Sequence, residues 1–314
     1  MPDTAALLAQ SQSNREKDHR RRNRLLHDIS INRENPKSDN RKPNNEALMF
    51  TIIGERINMT RKSIRQKVWD RDEAFIRNEA ARQVAAGATH VDINAGGDPS
   101  KEVNDMTWLA GIVSDAIEVP LSYDSANPDA IRAGLEICNR PGTIVNSITM
   151  EKTRVDGILP LVKEFGTGVI CLSMNDDGMP EDLDGRKKIT DDIVALMTGE
   201  GISLDRTYFD HLVRPASTNP GQARFILDAV RYTRTTYPDA HIALGLSNIS
   251  FGIPKRNNFN RAFLAMLVEA GADGAIIDPS EHEMMITLCS AQAVLGIDEY
   301  CMCYLEMMRE LGMA

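Results

Sequence analysis

From residue 49 onward, short apolar runs alternate with longer segments in which apolar residues recur every three or four positions. The short runs lie at 49–54, 90–94, 120–124, 143–147, 168–174, 206–210, 241–248 and 274–278, and their length and composition predict buried β-strands. Between them the spacing predicts helices over about 72–86, 101–117, 128–138, 151–165, 186–200, 221–236, 259–270 and 280–294. Gly87, Gly166, Gly201 and Gly271 stand where helices should stop. Asn127-Pro128 and Asn219-Pro220 read as helix starts, with Asn as the cap and Pro in the first turn. Eight strand–helix units over about 250 residues match the count and size of a (β/α)8 TIM barrel. A doubly wound α/β sheet would call for a glycine-rich phosphate loop after an early strand, which Gly54-Glu55-Arg56-Ile57-Asn58 is not. Residues 297–314 add an extra C-terminal helix with a Met/Leu stripe, suited to packing or subunit contact. The expected organisation is a barrel domain over 49–314 preceded by an extension over 1–48.

Charge sharpens that division. Residues 1–48 carry ten Lys/Arg against seven Asp/Glu, a net of +3, whereas the whole chain is −9. This basic, polar segment has few large apolar residues, so it is expected to be partly disordered or draped over the body. Arg20-Arg21-Arg22-Asn23-Arg24 lacks interleaved aromatics and precedes an acidic body, which argues against a nucleic-acid partner. At 42% hydrophobic and 26% charged, the 314-residue chain has the composition of a soluble globular protein. No run reaches the roughly 20 apolar residues that span a bilayer. The first residues lack a basic stretch followed by an apolar core. These features predict a cytoplasmic protein with no membrane contact. Its five cysteines, Cys138, Cys171, Cys289, Cys301 and Cys303, are read as free thiols.

Candidate chemistry lies at the strand ends. In a parallel barrel the C-terminal ends of the strands form the active-site face. Asn58, Asn94, Asp124, Asn146, Asp210, Asn248 and Asp278 would all meet there. A lone Asp or Asn after a strand commonly forms a turn or caps a helix. That is the preferred reading of Asp278, which precedes Pro279-Ser280, and it stays open beside a binding role for Asn58 and Asn94. Asp124, Asn146, Asp210 and Asn248 each end an apolar run, which favours one shared pocket for a flat heterocycle. A pterin presents adjacent N–H donors that a carboxylate accepts in pairs, and a carboxamide both donates and accepts.

Several ordered motifs carry a family resemblance: Gly54-Glu55-Arg56-Ile57-Asn58, Asp92-Ile93-Asn94, Asp124-Ser125, Ile144-Val145-Asn146-Ser147, Asp210 and Gly245-Leu246-Ser247-Asn248. Leu172–Pro180 and Asn260–Met266 add to it. Over residues 49–295 the chain resembles the methyltetrahydrofolate:corrinoid protein methyltransferases, which belong to the wider pterin-binding barrels. The resemblance implies 5-methyltetrahydrofolate or tetrahydrofolate as substrate and cobalamin carried by a separate corrinoid protein. It implies that Asp124, Asn146 and Asp210, with Ser247 and Gly245, hold the pterin, and that Asn248 is the catalytic residue near N5. It also implies a homodimer. Asp92, Asn58, Asn94, Arg256 and Arg261 are secondary candidates, the two arginines for the folate's glutamate tail or the partner's surface.

No metal is expected. The Cys301-x-Cys303 pair lies beyond the barrel, the six histidines lack metal spacing, and Glu281-His282-Glu283 is not a zinc motif. His211 reads as a loop or helix-face residue ahead of a catalytic one. Two alternatives are a dihydropteroate synthase-like enzyme, which would need basic residues at strands 7 and 8 for a diphosphate, and a non-catalytic folate-binding subunit of a corrinoid complex.

Overall fold

The computed structural model describes residues 50–313. The extension over 1–48 and the expected strand start at Met49 lie outside the described residues. Eight parallel strands close into a barrel in sequence order: β1 (Thr51–Asn58), β2 (His90–Asn94), β3 (Leu121–Asp124), β4 (Ile144–Met150), β5 (Gly168–Asn175), β6 (Thr207–Asp210), β7 (His241–Gly245) and β8 (Gly274–Ile277). The last strand returns to the first, with Ile53 opposite Ile276. Ten helices are described: α1 (Lys62–Trp69), α2 (Glu73–Ala85), α3 (Glu102–Ser114), α4 (Pro128–Ile137), α5 (Lys152–Phe165), α6 (Leu183–Gly199), α7 (Gln222–Thr236), α8 (Arg256–Ala270), α9 (His282–Val294) and α10 (Met302–Glu310). None is long and apolar enough to cross a membrane.

The local signals explain most boundaries. Asn127 accepts a hydrogen bond from the Asp129 N–H and opens α4 with Pro128 in its first turn. Gly166 and Gly271 close α5 and α8 in the left-handed conformation, where a Cβ would be strained. Asn219 does not cap α7. Gly221 stands at that position, and Asn219 instead folds a turn by accepting the Gly221 N–H at 2.8 Å.

Three differences from the sequence expectation matter for function. β1 runs on to Asn58 through Glu55 and Arg56, because the mouth of a barrel tolerates polar side chains inside a strand. β7 stops at Gly245, so Ser247 and Asn248 sit on a 3-10 turn, Leu246–Ser250, beyond the strand. α1 is an additional element, short and mostly polar, which buries only Ile64 and Val68. The tail forms α10, whose first turn is fastened by Asp298 accepting the Cys303 and Tyr304 N–H groups at 3.0 and 3.1 Å.

Inside the barrel, Ile53, Ile144, Ile170 and Ala243 pack into one apolar layer with Leu172, Tyr208 and Ile276 around them. Strand side chains alternate faces, so the residue two positions on points the same way, one layer nearer the mouth. Two positions on from Ile53, Ile144, Tyr208, Ala243 and Ile276 stand Glu55, Asn146, Asp210, Gly245 and Asp278. The core therefore ends in a polar layer that faces the mouth.

Candidate active site

Register brings three of the expected residues side by side. Asn94 pairs with Asp124, and Asp124 with Asn146. The Asn94 amide donates to Asp124 Oδ2 at 3.0 Å. One layer deeper, Asp92 Oδ1 accepts from the Ser122 hydroxyl at 2.6 Å and from the Asn146 amide at 3.2 Å. Asp92, Asn94, Asp124 and Asn146 thus form one connected cluster, with Ser122 as a member that carried no signal in the sequence.

Burial makes both carboxyls of this cluster easier to protonate than free ones. Burial keeps the Asp92 carboxyl well above the ordinary carboxylate range, and the charge of Asp124 pushes it the same way. Burial raises Asp124 to about 6, against the lowering effects of the Asn94 hydrogen bond and the Arg154 charge. A ligand that offers N–H donors to such carboxyls would replace the missing solvation.

Asp210 forms a second group. Its Oδ1 accepts the Leu212 N–H at 2.7 Å and its Oδ2 the Gly245 N–H at 2.9 Å. Burial raises this carboxyl, and the two backbone donors oppose the rise. The Gly245 bond ties β6 to β7, the Leu212 bond folds the turn after β6, and together they leave about half of the carboxylate's lone pairs for a ligand. A Cβ at Gly245 would meet only Asp210 Oδ2, at 3.6 Å, an ordinary contact.

Asn248 is exposed on the turn after β7, and its side chain bonds to none of the described residues. Beside it a cavity of about 220 Å³ opens on the β7–β8–β1 side, lined among others by Glu55, Arg56, Ser247, Arg256, Asn260 and Asp278. Glu55 is raised by burial, with the Arg61 ion pair at 2.9 Å acting against it. Asp278 forms the expected turn by accepting the Ser280 N–H, and it also pairs with Arg56 at 3.0 Å. In the sequence Glu55 and Arg56 stand within the Gly54–Asn58 family motif without an assigned role.

The remaining candidates fall elsewhere. Asn58 folds its own turn, accepting from the Thr60 N–H and hydroxyl. Arg261 lies on α8 and pairs with the exposed Glu283 and with Asn258. His211 is fully buried between the Ser173 and Thr233 hydroxyls at 2.9 and 3.0 Å, and burial depresses it to about 3, so it stays neutral in the core. It stands in the irregular segment just past β6, as the loop reading expected, but buried in the core. Among the described residues no group of three or more His, Cys, Asp or Glu could hold a metal ion.

The comparisons with known proteins agree with this geometry. Residues 54–278 match the model of the family described as pterin binding enzyme. The chain is 33% identical over 261 residues to a methylcorrinoid:tetrahydrofolate methyltransferase of Eubacterium limosum, covering 82% of this chain and 96% of that one. It is 28% identical over 260 residues to methionine synthase of Mycobacterium tuberculosis, covering 79% of this chain and 22% of that longer protein. A dihydropteroate synthase of Coxiella burnetii, solved with pteroic acid, superposes with a TM-score of 0.60 at 14% identity, covering 79% of this chain and 94% of that one. At that identity the likeness concerns the fold alone.

Proposed function

This chain belongs to the pterin binding enzyme family, and from that premise we propose that it moves a methyl group between N5 of 5-methyltetrahydrofolate and the cobalt of a corrinoid. The observation that carries this is the polar layer at the barrel mouth, where Asn94, Asp124 and Asn146 stand on adjacent strands above Asp92. Its acceptors and amides match the donor-rich edge of a pterin. The similarity to the methylcorrinoid:tetrahydrofolate methyltransferase selects among the pterin chemistries. A dihydropteroate synthase-like reaction is disfavoured by the strand 7 and 8 ends, which read Gly-Leu-Ser-Asn and Ile-Ile-Asp-Pro in place of the basic residues a diphosphate would need.

In this assignment Asp124, Asn146 and Asp210 grip the pterin, with Asp92 and Asn94 fixing their geometry and Gly245 and Ser247 at the edge. In the demethylating direction the carbon leaves N5, the C–N bond pair stays on nitrogen, and reduced cobalt supplies the pair for the new bond. Nitrogen takes a proton from solvent, and as the bond breaks N5 needs a hydrogen-bond donor that strengthens with its growing charge. Asn248, exposed on the turn after β7, is assigned that role through its amide N–H groups. Positioning methyl and metal in line contributes the rest. Cobalamin comes with a separate corrinoid protein, and two copies of the chain associate in the cytoplasm through the tail, where Tyr300 and Met302 are exposed.

The test mixes the protein with 5-methyltetrahydrofolate and cob(I)alamin and follows methylcobalamin by absorbance. Asn248→Ala should lower turnover by about 10²–10³, by analogy with lost oxyanion donors, while calorimetric folate affinity stays within about twofold on the same reasoning. Equal turnover in the variant removes the assignment of Asn248, and no methyl transfer by the native chain removes the function.

A further inference from the structure

The turn that bears Asn248 is clamped at both ends by one side chain. Arg256 Nε donates to the Ser250 hydroxyl at 3.0 Å, and its Nη2 donates to the Ser247 carbonyl at 2.6 Å. The Ser250 hydroxyl closes the triangle by donating to the same Ser247 carbonyl at 3.1 Å. Asn248 lies between these two anchor points.

Two local costs accompany the clamp. Arg256 is the first residue of α8, whose first turn contains no acidic residue, so a cation sits at the positive end of the helix dipole. The preceding Lys255 is left-handed at φ 52°, ψ 50°, a conformation that glycine or asparagine takes more readily. A helix start chosen for stability would place an acid or a capping side chain here. Locally unfavourable choices held by specific contacts concentrate at functional sites. Arg256 also has no carboxylate within ion-pair distance among the described residues, in contrast to Arg56, Arg61 and Arg261. Its planar fork is spent on the turn.

We propose that Arg256 is a positioning residue for the methyl transfer: by its two-point grip on Ser247 and Ser250 it fixes the orientation in which Asn248 meets N5. This rests on the role given to Asn248 above. The fork geometry is essential, because an ammonium offers one point charge where the guanidinium offers two directed N–H groups. Arg256 acts through Asn248 and touches neither the pterin nor the methyl group in this scheme.

A double-mutant cycle tests it in the full-length chain, with single-turnover methyl transfer and calorimetric folate binding as readouts. Arg256→Met should slow the methyl-transfer step by roughly 10–100-fold, the scale of a misplacement of about 1 Å, with folate affinity within about twofold. Arg256→Lys should lose most of the same rate although it keeps the charge, and it carries the test should Arg256→Met fail to fold. In the Asn248→Ala background neither Arg256 substitution should reduce the rate by more than about twofold, because the group it positions is gone. A merely structural arginine would slow both backgrounds by the same factor, and that multiplicative loss overturns the proposal. Full rate in Arg256→Lys also overturns it, since charge alone would then suffice. Slow Asn248→Ala beside full-rate Arg256→Met removes this inference alone, whereas full-rate Asn248→Ala removes the role of Asn248 and this inference with it.

Discussion

Asp124 should make folate binding depend on pH. In the free protein its carboxyl is held at about 6, against 3.8 ordinarily, chiefly by burial. Two units correspond to roughly 3 kcal/mol favouring the protonated form. The sign follows: with the folded value raised, this group's contribution to stability is greatest below the unfolded value of 3.8, declines as pH rises from there to about 6, and is level above. A pterin that donates N–H groups to the carboxylate favours the ionised form, so binding expels the proton. At pH 5.5 folate should bind about fourfold more weakly than at pH 7.5 through this linkage, with close to half a proton released per folate near pH 6. The Asp124 charge in turn adds to the burial that raises Asp92. Asp124→Asn retains an acceptor for the Asn94 amide but cannot ionise. It should weaken folate binding at pH 7.5 by about 10–100-fold, the scale of a lost charge-assisted hydrogen bond, and flatten the pH slope. The assay is isothermal titration across pH 5.5–7.5 in two buffers of different ionisation enthalpy. The ligand's own titration is common to both proteins, so the difference between their slopes isolates Asp124. Identical slopes, or unchanged affinity at pH 7.5, would refute the reasoning.

His211→Phe should destabilise the fold by about 1–3 kcal/mol at pH 7.5, because the Ser173 and Thr233 hydroxyls lose their shared partner. Since the folded histidine is depressed to about 3, its contribution is complete above the unfolded value of 6.5 and is lost as pH falls below it. The deficit of the variant should therefore shrink by roughly 2 kcal/mol at pH 5, measured by urea unfolding, and a pH-independent deficit would contradict the assignment. Gly134→Ala should cost about 1–3 kcal/mol, read as a lower calorimetric melting temperature. A Cβ there would enter the space of the Tyr123 ring, which is held by hydrogen bonds from its hydroxyl to the Gly134 and Cys138 carbonyls. An unchanged melting temperature would show that this helix–strand contact is slack.

Much of the fold was readable along the chain. Strand periodicity, helix periodicity and stop glycines are local quantities, and eight repeats of them admit few topologies, so the closed barrel followed from counting. Asp124 and Asn146 were legible because an acid or amide at the end of an apolar run is locally conspicuous. Glu55 and Arg56 were not read as strand, since two adjacent charges look like an exit from a sheet until the barrel supplies an open mouth for them. The 3-10 turn after Gly245 was hidden because Leu246 and Ile249 continue the apolar pattern while turning the chain. His211 read as a loop or helix-face residue, and its burial became visible only in the fold, where α7 brings Thr233 over it.

What the chain alone determined is therefore the set of elements and the polarity of their ends. Only the closed barrel decided which ends touch. The Asn146 amide reaches Asp92 across 54 residues of sequence, and Arg56 reaches Asp278 across 222. Those meetings depend on interstrand register and on the return of β8 to β1, which no local pattern encodes, and the raised carboxyls follow from the burial that closure imposes.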